Sequence, residues 1–144
     1  MNMARNQNKR GGFHAIRRGA AAGEFALTAS ILFLFLFAAL EFSRYNMIQQ
    51  SANNAAFEST RQCILPGASA SDGQTAAQNI LTAVGIRNGV VTINPTTLTN
   101  TTSTVTTTVT VPVSSNLWVT PTFTGNVTIT KSCTLTSDWV FSTR

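Results

Sequence analysis

Between Ala20 and Leu40 the chain runs for 21 residues with a single charge, Glu24. Wound as a helix, that length spans about 30 Å, one hydrocarbon thickness. A helix apolar on every side has no polar face to give to water, so the segment reads as a membrane span. A secretory apolar region is shorter, about 7–15 residues, and is followed by a small-residue cleavage site. Here Glu41-Phe42-Ser43-Arg44-Tyr45 follows, and cleavage behind the run is not expected. Glu24 is the anomaly. Carrying an ionised carboxylate to the bilayer centre costs roughly 2.5–3.5 kcal/mol on the more lenient scale. A first-turn acid favoured by the helix dipole is one explanation.

Charge is distributed unevenly. The net charge of +5 comes from Arg5, Lys9, Arg10, Arg17 and Arg18, which all precede Ala20 with no acid among them. From Ala20 onward five basic residues balance five acids. Nucleic acid is not the expected partner, because this basic stretch abuts an apolar run and carries no aromatic stacking platform. The positive-inside rule accounts for it better: Arg17 and Arg18 hold the N-terminus in the cytoplasm and the remainder lies outside.

Beyond Glu41 the run turns amphipathic. Phe42, Tyr45, Ile48, Ala52, Ala55, Ala56, Ser59 and Cys63 recur at three- and four-residue steps, while Gln49, Gln50, Asn53, Asn54, Glu58 and Arg61 fill other positions. Nothing breaks the helix before Pro66-Gly67. A single helix from Ala20 to Leu65 is predicted, about 65–70 Å long. Ser71 or Asp72 is positioned to cap a second helix with Ala76, Ala77, Ile80, Leu81 and Val84 on one face and Gly85 as its stop.

After Gly85 the apolar period becomes two. Val91 and Ile93 alternate with Thr92, and Asn94-Pro95 ends that run. Val105, Thr107, Val109, Val111 and Val113 share a face, and so do Val127, Ile129, Lys131, Cys133 and Leu135. Pro112 within the second run predicts an edge strand or a bulge. A glycosylated, disordered stalk is the alternative for the Thr-rich tract 96–110, but a stalk needs no regular valine phase. β-branched residues with one apolar face suit an antiparallel sheet packed on one side. The expected fold is therefore α+β: a long N-terminal helix, a short second helix, and a small antiparallel sheet packed on the amphipathic half of the first. The divisions are 1–19, a basic leader; 20–43, the membrane part of the helix; 44–65, its amphipathic continuation; and 66–144, an extracytoplasmic Thr-rich domain.

Three motifs occur in order: Arg17-Arg18-Gly19-Ala20-Ala21-Ala22-Gly23-Glu24-Phe25-Ala26-Leu27, then Glu41-Phe42-Ser43-Arg44-Tyr45, then Asn54-Ala55-Ala56-Phe57-Glu58-Ser59-Thr60-Arg61. Over residues 17–63 the chain resembles the TadE-like pseudopilins of tight-adherence (Flp-type IVb) pilus systems. The resemblance implies a minor pilin or pseudopilin with a pilin-like fold that is cut by a dedicated prepilin peptidase between Gly19 and Ala20. Glu24 and Phe25 would then serve recognition and assembly. Implied partners are that peptidase, other pilins or pseudopilins, and inner-membrane assembly proteins; the implied location is the inner membrane in a single pass, with incorporation into an adhesive surface pilus. Cleavage creates an ammonium on Ala20, and Glu24 of a neighbouring subunit can pair with it so that both charges leave hydrocarbon together.

Catalysis is not expected. His14, the only histidine, lies in the leader, so no Ser-His or Cys-His pair can act in the exported part. No His/Cys cluster has metal-ligand spacing, and no cofactor or small-molecule substrate is implied. Trp118, Phe123, Trp139 and Phe141 read as core or sheet-edge anchors. Glu41 and Arg44 read either as a partner contact or as residues solvated at the helix exit. The competing function is a signal-anchored binding domain or adhesin that is never assembled into a fibre. Finally, Cys63 and Cys133, the only cysteines, both fall in the part placed outside the cytoplasm, where a disulfide persists; packing of the last strand on the helix would bring them within bridging reach.

Overall fold

The computed structural model describes residues 11–99, 101–117 and 126–137. The fold is α+β, with helices α1 (Gly11–Cys63) and α2 (Ala70–Ala83) followed by strands β1 (Val90–Asn94), β2 (Thr104–Pro112) and β3 (Thr128–Thr136). The chain divides into two compact units, Met1–Ala39 and Leu40–Arg144.

α1 begins earlier than the apolar run suggested. Residues 13–18 contain no proline or glycine, and Ala15, Arg17 and Arg18 are good helix formers, so the ladder continues back to Gly11. Its end falls two residues before the expected one, with Pro66 and a left-handed Gly67 (φ 80°) completing the stop.

Ser69, not Ser71 or Asp72, caps α2. Asp72 sits at the third helical position instead, where its carboxylate accepts from the Ser69 N–H (2.9 Å) and Oγ (2.7 Å). Those two bonds favour the charged form and hold the Asp72 carboxyl below its ordinary range. At the other end Gly85 (φ 69°) is the expected stop. Its N–H donates to Thr82 O at 2.9 Å and the Ile86 N–H to Leu81 O at 2.8 Å, the paired bonds of a Schellman motif that only a left-handed residue closes cheaply.

The sheet is antiparallel throughout in the order β1-β2-β3. β2 is therefore the central strand, which corrects the edge or bulge reading of Pro112. The proline is the last residue of β2, opposite Thr128 at the start of β3. Val113 N donates to Val127 O at 2.9 Å, so alternation turns the Pro112 nitrogen toward the β1 side. β1 has already ended there, its outermost pair being Val90 with Thr110. No ladder bond is lost.

The predicted phases are the buried ones except at Val127, which is exposed just before β3 begins. Val91 and Ile93, then Val105, Thr107, Val109 and Val111, then Ile129 face inward, while the threonines between them line the outer face. Ile48, Ala52, Ala55 and Ala56 of α1 and Ala77 and Leu81 of α2 complete the core. Alanines at three of those α1 positions let backbone approach backbone. The approach is close enough for Ser59 Oγ to meet Thr107 Oγ1 at 3.3 Å and for Thr60 Oγ1 to donate to Cys133 O at 3.3 Å. Thr107, the one polar residue in the valine face and fully buried, is thereby satisfied.

The buried stripe of α1 differs from expectation at one end. Phe42 is half exposed, whereas Glu41 and Arg44 are buried. Positions 41, 44 and 48 fall on one helical face, and position 42 is turned about 100° from 41.

Candidate functional site

Gly19, Ala20, Glu24 and Phe25 lie on the unbroken α1, all with exposed side chains or surfaces. Exposure continues along the apolar run: Phe25 is 75% exposed, and Leu32 and Phe35 are each 66% exposed. This is the one described helix long and apolar enough to cross a membrane. Its neutral polar residues are compatible with that. Thr28 Oγ1 donates to Glu24 O at 2.9 Å and Ser30 Oγ to Ala26 O at 2.8 Å, so both hydroxyls are satisfied within their own helix and need no water. The Glu24 carboxylate has no such option. Among the described residues it makes no hydrogen bond or ion pair, which leaves one charge on an apolar surface as the group that calls for an outside partner.

The Gly19–Ala20 peptide bond is itself inside the helix. A Cβ added at Gly19 or Gly23 would meet nothing within 4 Å, so packing within the subunit demands neither glycine. What they contribute is a weak stretch of ladder: each costs about 1 kcal/mol of helix stability relative to alanine.

A second constellation, in the Leu40–Arg144 unit, escaped the sequence reading. Arg44, only 7% exposed, donates from Nε to Asn116 O at 2.9 Å, from Nη1 to Val84 O at 3.5 Å and from Nη2 to Gly85 O at 3.4 Å. It thus closes the C-terminus of α2, where orphan carbonyls and the negative end of the helix dipole favour a cation. Asn116 continues the network: its Nδ2 donates to Arg87 O (2.9 Å) and Pro112 O (2.8 Å), and its Oδ1 accepts from the Arg87 N–H at 2.6 Å. One arginine and one asparagine tie α1, the end of α2 and the end of β2 together. The available signal was the phase of Glu41, Arg44 and Ile48, which falls on the buried face; the carbonyl partners are forty or more residues away and left none.

The two cysteines of the disulfide expectation have different surroundings. Cys63 and Cys133 are both free. Cys133 pairs with Thr107 in the β2–β3 register, whereas Cys63 sits against α2, where the Gly73 N–H donates to its sulfur and burial pushes the thiol up from its ordinary value. The face of α1 that carries Cys63 thus meets the second helix as well as the sheet, where Cys63 and Val105 line one cavity. Denatured protein isolated without reductant is expected to take up two alkyl groups, counted by intact mass; a mass two hydrogens lower with no uptake contradicts this.

Trp118, Phe123, Trp139 and Phe141 lie outside the described residues. Among the described residues no three His, Cys, Asp or Glu side chains come together as a metal set.

Residues 19–61 match the family model described as TadE-like protein. No curated protein and no solved structure matches the chain.

Proposed function

We propose that this chain, TadE-like over residues 19–61, is a structural pilus subunit, a minor pilin or pseudopilin of a tight-adherence system that carries no catalysis of its own. The observation that carries the reading is the Glu24 carboxylate, alone on an exposed apolar helix. In this reading α1 anchors the subunit in the inner membrane with its N-terminus in the cytoplasm, and a prepilin peptidase cuts between Gly19 and Ala20. The new ammonium on Ala20 and the Glu24 carboxylate of a neighbour then pair as helices gather with other pilins and the membrane assembly proteins. Because removing one partner of a buried pair typically costs 3–5 kcal/mol, the pair selects one axial register among otherwise greasy helices.

Gly19 and Gly23 support the cleavage step. A protease reads extended backbone, and the scissile bond here is helical, so the segment has to unwind. Two glycines within one turn lower that cost by about 2 kcal/mol relative to alanine.

N-terminal sequencing of protein from intact cells tests the processing. A mature chain beginning Ala20-Ala21-Ala22 is expected, and Gly19→Leu is expected to accumulate as the longer precursor. Glu24→Gln is expected to insert at least as well as the parent, since it removes a charge, and yet to lose piliation. Wild-type piliation in that variant would leave Glu24 only its local effect on the helix dipole. A chain that keeps residues 1–19 in a membrane with active peptidase would favour an unassembled, signal-anchored binding domain.

A further inference from the structure

The structure places a basic depression next to the helix exit. About 190 Å³ in volume, it is lined by Arg44, Gly85, Arg87, Ser115, Asn116 and Leu117. No acid is among these lining residues. Glu41, one turn nearer the apolar run, is buried and does not line it. The Arg44 guanidinium is engaged with carbonyls, as described. Arg87 is exposed, its backbone N–H and C=O both fixed by Asn116, and its side chain makes no hydrogen bond or ion pair among the described residues.

The level of this depression follows from helix geometry. The apolar run ends at Leu40, and four residues of helix place Arg44 about 6 Å beyond it. A bilayer of about 30 Å hydrocarbon measures about 40–45 Å with its headgroups, which leaves a polar layer of roughly 5–8 Å on each side. The bonds from Arg44 to Gly85 O and Asn116 O hold both loops at its own level. If α1 spans the membrane, the depression opens within the headgroup layer, where the main anion is phosphate.

We propose that this depression, with Arg87 as its accessible cation and Ser115 as a neighbouring hydroxyl, is a contact site for the phosphate of a membrane phospholipid, occupied while the subunit is still in the bilayer. It rests on the membrane reading of α1. An arginine guanidinium suits this partner because its fork of donors matches two phosphate oxygens. Ser71, near the N-terminus of α2, lies about 20 Å along that helix from the depression.

The full chain, in vesicles of phosphatidylethanolamine and phosphatidylglycerol, tests this with a photoreactive benzophenone amino acid at position 115 or, as a control, at position 71 near the start of α2. The expected result is a phospholipid adduct, seen by mass, at position 115 and none at position 71. Arg87→Gln is expected to lower the yield at 115 roughly fivefold, the factor that one arginine near an anionic surface carries. Alkaline extraction separates the two claims. If the chain is released from vesicles, the membrane reading fails and this proposal with it. If it stays in the bilayer yet gives no adduct at 115, or an equal one at 71, the headgroup site alone is overturned. Loss of the adduct on adding inorganic phosphate at constant ionic strength overturns the assignment to lipid.

Discussion

Arg44→Ala is expected to lower the stability of the Leu40–Arg144 unit by about 3 kcal/mol, the largest loss for any single residue of its polar network. The guanidinium supplies donors to three carbonyls, those of Val84, Gly85 and Asn116, and is itself 7% exposed. Alanine leaves those acceptors facing a cavity, and it withdraws the cation from the negative end of α2. The bonds at 3.4 and 3.5 Å are long, which holds the estimate below the sum of three charge-assisted bonds. Arg44→Lys is expected to recover only part of the loss, since one ammonium cannot reach three carbonyls set around a planar fork. Urea denaturation of detergent-solubilised full chain, followed by amide exchange on β2, measures this. A loss below about 1 kcal/mol would mean that water replaces the guanidinium adequately and that α1 is held to the rest of the unit without it.

Gly73→Ala is the second large effect, and its sign is decided between two opposed contributions. Replacing a glycine inside a helix with alanine ordinarily gains about 1 kcal/mol. At this position the new Cβ would collide with Cys63 Sγ and lie 2.9 Å from Ser59 O and 3.2 Å from Ser59 Oγ. The sulfur is two bonds from its backbone, and the Ser59 carbonyl belongs to α1 itself, so neither yields freely. Overpacking of this kind costs typically 1–3 kcal/mol, and a net loss is expected. Cys63→Ala in the same chain removes the nearest obstacle and leaves the backbone one, so the double variant is expected to lose less than the two single variants added together. A stabilised Gly73→Ala protein, or strict additivity, would show that α2 does not seat on Cys63.

Both residues mark where local pattern stops being informative. That α1 is a helix, that its first half is apolar all round, and that strands follow Gly85 with alternate residues buried are properties of spacing, repeated residue by residue. Gly85 was legible as a helix stop because a left-handed backbone has few candidates. Glu24 stands out in the sequence because one charge in an apolar run is anomalous wherever the chain goes.

Pro112 was misread because edge and centre are properties of a neighbour: β2 is central, and the proline is harmless only because β1 stops two residues short of it. Phe42 was assigned to the buried stripe because it is apolar, and Arg44 was left at the helix exit because it is charged. In the folded chain the arginine goes inside, since three distant carbonyls can satisfy it there, and the phenylalanine is left half exposed. Cys63 meets α2 because glycine at position 73 admits a sulfur where a larger residue would not. Sequence alone determined the elements, most of their faces and the solitary acid, because periodicity and solvation act on each residue locally. Tertiary structure alone decided which face meets which element and which polar groups find partners, because those depend on atoms brought together from tens of residues apart.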